Sequence, residues 1–310
     1  MPSDRVTASP VMLMKMHATG NDFVMVDGVR QHFDPRPDVV RVLSDRHFGI
    51  GCDQLILAEP PVGPDHDFVY RIFNCDGNEV EMCGNGARCF ALFVHHLGLT
   101  TSKTIRAKTT TRIVTMFLES DEECVVDMGV PTLAMPSAQF DATAPFDTGD
   151  TGLMSTVIAT ELGVFQADVL SMGNPHAVVR VDERPSPVAL ERCGRAIELS
   201  PLFPARTNVE FMKILNPQLA YVDVWERGAG VTLSCGSGAC ASAVAGIARG
   251  LLMSPVQLML PGGTLTVEWD GDPEHSVFLK GRMDLVLPYQ AVEPDRLLKS
   301  YRLRNGVMDD

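Results

Sequence analysis

The sequence predicts a mixed α/β (α+β) chain of two pseudo-symmetric lobes, each with mixed or antiparallel strands wrapped round one central helix. Three observations carry that prediction. Glu81-Met82-Cys83-Gly84-Asn85-Gly86-Ala87 and Leu233-Ser234-Cys235-Gly236-Ser237-Gly238-Ala239 share a Cys-Gly-x-Gly-Ala core, with the two cysteines 152 positions apart. Gly20-Asn21 and Gly173-Asn174 form a second matched pair, offset by 153 positions, and each precedes a strand-like run. Two matches at nearly one offset are the mark of a tandem repeat. Finally, each Cys-Gly loop enters an apolar or small-residue run of helical length.

Taken in order, Phe23 to Val26 reads as the first strand and Phe68 to Phe73 as another, since both are short and rich in β-branched or aromatic residues. Gly86 to Gly98 reads as a buried helix stopped by its terminal glycine. Arg112 to Leu118 and Val125 to Met128 return to strand, and Pro131-Thr132-Leu133 reads as the crossover to the second half. Asp141 to Gly152 and Asp182 to Pro187, acidic and Pro-containing, read as surface loops around the strand Ala177 to Val181. Leu219 to Val224 is a strand, and Ala239 to Ala248 a small-residue helix with Arg249 in its last turn and Gly250 closing it. Thr264 to Trp269 and Val277 to Leu279 complete the strands. The expected lobes are residues 1–132 and 133–281, with 282–310 returning to the first.

Composition narrows the function. With 310 residues, 45% hydrophobic and 21% charged, the chain is long enough to bury its own core without staples. The formal net charge of -13 argues against nucleic acid, whose affinity is built from clustered cations. The apolar run Val11 to Met14 is too short for a signal-peptide core. Gly228 to Ala248 is uncharged and long enough to span a membrane, but its glycines, Ser, Thr and Cys read better as a turn and helix. A cytoplasmic protein without membrane contact is the expectation.

Eight cysteines are present, with no Cys-x-x-Cys pair, so neither a structural zinc site nor any other metal is expected. Cys52, Cys75, Cys89, Cys124, Cys193 and Cys240 read as small buried apolar residues. Cys83 and Cys235 stand apart because each sits at a helix entrance. There the unpaired N–H groups and the helix dipole favour thiolate, and can also hold a carboxylate. One such loop would suggest a nucleophile or a redox thiol. Two related loops suggest a thiol on each face of one carbon, which is the arrangement that stereoinversion of a carbon acid requires.

Five blocks now carry a resemblance. His17 to Phe23; Asn74-Cys75-Asp76-Gly77 with Met82 to Cys89; Gly173-Asn174-Pro175-His176; Thr207-Asn208-Val209-Glu210-Phe211; and Glu226 to Gly230 with Cys235 to Gly238 closely resemble diaminopimelate epimerase, in that family's order. The resemblance spans about Lys15 to Gly281. It implies interconversion of LL- and meso-diaminopimelate without pyridoxal phosphate or any other cofactor, in lysine and peptidoglycan precursor synthesis, with the active site in a cleft between lobes. It implies that Cys83 and Cys235 are the acid/base pair and that His176 and Glu226 support the thiols. It implies substrate contacts from Asn21, Gln54, Asn74, Gly84, Asn85, Asn174, Asn208, Glu226, Arg227, Gly236 and Ser237. A homodimer is implied as well, through a tyrosine that falls near Leu287, with Tyr289 close by.

There are departures. Ala18, Asn78 and Ser237 stand where the family more often has Gly, Ser and Thr. Met1 to Leu13 and the residues after about Pro288 read as extensions. Two rival readings are a proline or hydroxyproline racemase of similar fold and a thiol-rich redox or metal-binding protein. Asn85 and Glu226-Arg227-Gly228 disfavour the first, whose family resembles Cys-Gly-His-Gly with an Asp-containing second motif. The cysteine spacing disfavours the second.

Overall fold

A computed structural model describes residues 10–305, with side chains as far as Arg302. The expected N-terminal extension therefore lies outside the described residues except for its last few positions. The chain forms two compact units, one running to Cys124 and resuming at Met283, the other comprising Val125–Arg282. The division falls ahead of the expected Pro131–Leu133 crossover. Thr132 is already tied to Ser171 within the second unit by a two-way backbone bridge, with hydrogen bonds of 2.8 and 2.9 Å.

The first unit contains β1 (Val11–Ala18), β2 (Asn21–Asp27), α1 (Pro37–Ser44), β3 (Gln54–Glu59), β4 (Phe68–Asn74), β5 (Glu79–Val80), α2 (Gly84–His96), β6 (Thr104–Lys108) and β7 (Ile113–Leu118). The chain then passes through β8 (Glu123–Gly129) into the second unit. That unit contains β9 (Phe146–Asp147), β10 (Ser155–Thr160), β11 (Gly163–Ser171), β12 (Pro175–Arg180), α3 (Pro187–Glu198), β13 (Asn208–Asn216), β14 (Leu219–Glu226), β15 (Gly230–Thr232), α4 (Gly236–Ala248), β16 (Val256–Leu260), β17 (Gly263–Glu268) and β18 (Val277–Arg282). Finally β19 (Asp284–Val292) and α5 (Pro294–Asn305) belong to the first.

The repeat is visible as connectivity. In the first unit β1 and β2 are antiparallel, β2 and β3 parallel, β3 and β4 antiparallel, β4 and β6 parallel, and β6 and β7 antiparallel. The second repeats the series with β11, β12, β13, β14, β16 and β17. A helix (α1 or α3) joins each first parallel pair. A short strand (β5 or β15) pairs with the fourth strand of the series just before the Cys-Gly loop.

Each unit wraps its strands round its own helix. Every residue of α2 from Gly84 to Val94 is buried, including Arg88, and the helix packs against β1, β2, β3 and β7. In α4 nearly every residue is buried as well, against strands on several sides. A helix apolar all round has to lie inside a core, and small residues let the surrounding strands come close. A Cβ at Gly86 would lie 2.7 Å from the Tyr70 hydroxyl and 2.8 Å from Ile56 Cδ1, so any larger residue would force those side chains to shift. Gly98 (φ 65°) and Gly250 (φ 68°) adopt the left-handed conformation just past the two helices, as their positions in the sequence suggested.

Both helices begin earlier than the sequence pattern indicated. Extension to Gly84 and Gly236 makes the two cysteines themselves the N-caps, each sulfur accepting a first-turn amide. The loop expected over Asp141 to Gly152 holds the short strand β9, paired with β10. The residues past Pro288 complete β19, which pairs with β1, and then form α5 against α1. Arg302 meets Asp38 at 3.1 Å, and the Tyr301 ring stands edge-on to Phe48 at 5.9 Å.

Candidate active site

In the first unit the amide side chains gather at one end of three neighbouring strands. Asn21 opens β2, Gln54 opens β3 and Asn74 closes the antiparallel β4, where it is directly paired with Gln54. The β1–β2 hairpin turns through Thr19 (φ 50°) and Gly20 (φ 84°), a two-residue left-handed turn that sets Asn21 at the strand start. Gln54 Nε2 donates to Asn74 Oδ1 at 2.9 Å. Cys83 Sγ accepts from Gly86 N at 3.5 Å and donates to Asn21 Oδ1, also at 3.5 Å. Asn85 Nδ2 donates to the same Asn21 oxygen at 3.3 Å, and Arg88 Nη2 fixes Asn85 from inside at 2.8 Å.

Sequence reasoning passed over the support behind Asn21. Asp53 Oδ2 accepts from Asn21 Nδ2 at 2.8 Å, which turns the amide oxygen toward Cys83. Arg46 forks onto Asp22 with two bonds of 2.8 Å and reaches Asp53 at 2.6 Å, while Lys15 lies 3.0 Å from Asp22. Although burial pushes the Asp22 carboxyl up, Arg46 and Lys15 outweigh it and hold the group well below the usual carboxylate range. The signal available was Asp53 standing directly before Gln54.

In the second unit Asn174 precedes β12, Asn208 opens β13 and Glu226 closes β14, positions corresponding to Asn21, Gln54 and Asn74. Cys235 Sγ accepts from Gly238 N at 3.4 Å and lies 3.6 Å from Ser237 Oγ. Asn174 Nδ2 donates to Ser237 Oγ at 3.3 Å, and Asn174 Oδ1 faces His176 Nε2 at 3.1 Å. His176, wholly buried, meets Glu210 through Nδ1 at 2.8 Å. Asn208 accepts from Arg227 N at 2.9 Å and donates to Pro175 O at 3.1 Å, pinning the strand ends together. Arg227 is exposed, with Nη1 on Ala205 O at 3.1 Å.

The electrostatics of this half are those of a thiol held neutral. Burial, then the Glu226 and Glu210 carboxyls, push the Cys235 thiol well above its ordinary range. Burial likewise raises the Glu226 carboxyl, which accepts a hydrogen bond from Thr232. Glu210 is the second supporting residue the sequence reading did not single out. Its signal was a charged residue between Val209 and Phe211 inside a strand.

The remaining cysteines divide. Cys52, Cys89, Cys124 and Cys240 are buried, and burial pushes Cys52 up to about 11 and Cys124 up to about 12. Cys75, expected inside, is exposed because it lies in the turn after β4, and Cys193 is half-buried. Among the described residues no group of three or more His, Cys, Asp or Glu side chains is placed to hold a metal ion. No described helix is long and apolar enough to cross a membrane.

The fold of two like-wired units is shared by solved structures. A hydroxyproline epimerase of Agrobacterium vitis matches with a TM-score of 0.65 at 15% identity, over 92% of this chain and 94% of that one. A probable proline racemase of Agrobacterium radiobacter K84 matches at 0.63 and 16%, over 89% and 91%. These likenesses establish the two-lobe fold. The diaminopimelate epimerase family model matches residues 13–134 and 169–286. The chain is 48% identical to a diaminopimelate epimerase of Ectopseudomonas mendocina over 258 residues, 83% of this chain and 91% of the relative. It is 45% identical to one of Thioalkalivibrio sulfidiphilus over 273 residues, 87% and 95%. The chain belongs to the diaminopimelate epimerase family.

Proposed function

We propose that the chain interconverts LL- and meso-2,6-diaminopimelate, with Cys83 and Cys235 acting on opposite faces of one α-carbon. The observation that carries this reading is the duplicated N-cap thiol, each with its own set of amide side chains. Family membership supplies the substrate. One sulfur, as thiolate, takes the α-proton while the other, as thiol, delivers one. The roles exchange when the reaction runs backward, as microscopic reversibility requires. For this the two sulfurs flank the carbon at roughly 3–3.5 Å in the reactive complex.

Asn21, Gln54, Asn74, Asn174 and Asn208 supply amide donors and acceptors for the carboxylate and ammonium groups. The first-turn amides of Gly84, Asn85, Gly236 and Ser237 offer a cradle for a carboxylate that gains charge as the proton leaves. Glu226 receives an ammonium and Arg227 the carboxylate at the far end of the substrate. His176 and Glu226 tune the second thiol. The test is proton NMR of LL-diaminopimelate in deuterated buffer. The α-proton signal should fade as the meso isomer appears, and an unchanged spectrum with folded protein would sink the reading.

The same reading places the chain in the cytoplasm as a homodimer. In its support, Leu285, Val286 and Leu287 form an exposed apolar run on β19, a feature typical of interfaces. Sedimentation of the purified chain at micromolar concentration should give twice the monomer mass; a monomer throughout would refute the dimer.

A further inference from the structure

The second unit buries a carboxyl group that the chemistry above leaves without a task. Glu210 lies in the interior of β13 with no exposure; Oε1 reaches His176 at 2.8 Å and Oε2 has no hydrogen-bonding partner. Burying such a group is expensive unless a partner offsets it. The first turn of α4 closes directly over it. A Cβ placed on Gly238 would lie 2.7 Å from Glu210 Oε1 and 3.3 Å from Cys235 Sγ.

From Glu210 a single file of hydrogen bonds leads to the second thiol, through His176 (2.8 Å), Asn174 (3.1 Å), Ser237 (3.3 Å) and Cys235 (3.6 Å). Its direction is fixed at the middle. Asn174 gives its amide hydrogen to Ser237, so its oxygen faces His176 and requires a hydrogen on Nε2. Ser237, already an acceptor, then has its own hydrogen free for the sulfur. All donors point toward Cys235. Such files strengthen one another, and the histidine tautomer decides whether they line up.

We propose that Glu210 is a positioning residue for Cys235, holding a shared proton against His176 Nδ1 so that Nε2 keeps its hydrogen and the whole file points at the sulfur. The Glu210–His176 pair then carries two protons and no net charge, whichever atom holds the shared one. Burial, opposed by the pull of His176, keeps the Glu210 carboxyl above the ordinary carboxylate range, in keeping with a proton retained there. The titratable groups facing it are His176 on β12, Glu226 on β14 and Cys235 ahead of α4. The proposal deepens the functional reading and rests on it for the use made of Cys235.

Three variants separate tautomer control from charge. Glu210→Gln can still donate to Nδ1, whereas Glu210→Asp keeps the carboxyl but falls short, and Glu210→Leu does neither. Nitrogen-15 NMR of the histidines should show His176 as the Nε2–H form in wild type and in Glu210→Gln, and not in the other two. Mapped alkylation by iodoacetamide should slow at Cys235 about tenfold in Glu210→Asp and Glu210→Leu, with Cys83 unaffected and Glu210→Gln close to wild type. With diaminopimelate, kcat should fall about 10²-fold in the same two variants while KM holds within about threefold. A wild-type tautomer and Cys235 reactivity in Glu210→Asp would overturn the proposal, as would a Glu210→Gln as impaired as Glu210→Asp. Should Glu210→Leu fail to fold, the Gln and Asp pair still decides. If wild type gives no exchange while tautomer and alkylation follow the predicted order, the substrate reading fails and the role of Glu210 stands.

Discussion

Cys83→Ala and Cys235→Ala are each expected to abolish epimerisation, with a fall in kcat of about 10³-fold or more. On the proposed mechanism each variant removes either the base or the acid for one face of the carbon, and positioned proton transfer of this kind is worth about 10²–10⁴-fold. Cys83 donates to the amide oxygen of Asn21, which Asn85 shares. Beside Cys235 stand the Ser237 hydroxyl and the Glu226 carboxyl. The double variant should be no worse than either single one, because the thiols act as a unit. Turnover by NMR or a coupled assay decides the point. A single variant that kept a tenth of wild-type activity would show that one thiol suffices.

Arg227 should produce the next largest effect. Its guanidinium is exposed, with Nη1 on Ala205 O, while its backbone amide is anchored to Asn208, so the root is fixed and the rest of the head group faces solvent. Arg227→Ala should lower kcat/KM by about 10²–10³-fold, the equivalent of about 3–4 kcal/mol of charge-assisted, two-pronged binding. Arg227→Lys should show most of the same loss, since a point charge cannot reproduce the fork. Binding energy from the far end of the substrate positions the reacting carbon, so kcat should suffer along with KM. Alanine and proline, which lack that end, should be poor substrates. Efficient racemisation of proline would contradict this reading, despite the shared fold.

Much of this was legible in the sequence where a residue type has a narrow use. Cys-Gly-x-Gly-Ala recurring at one offset announced a duplicated helix entrance, and the strands Phe68 to Phe73 and Leu219 to Val224 fall within β4 and β14. What escaped was long-range. Neither α1 nor α3 was read, although each begins at a proline, because turn residues surround both. The supports Asp53 and Glu210 were missed because a carboxylate reveals its purpose only through what lies opposite it across a parallel strand pair. His176 meets Glu210 because β12 and β13 run side by side, and sequence separation hides that adjacency. The helix starts were misplaced for a related reason: cysteine is not among the usual capping residues.

The capping role of the sulfurs has a mechanical consequence. A thiolate accepts the first-turn amide more strongly than a thiol and answers the positive end of the helix, a difference of about 0.3–1 kcal/mol near a helix terminus. On the proposed mechanism, protonation of each sulfur is therefore linked to the tightness of its helix start at Gly86 or Gly238. One sulfur takes up the substrate's α-proton while the other gives up its own, so one helix start slackens as its counterpart tightens. Each forward turnover leaves the two protonation states exchanged, and a reverse turnover resets them.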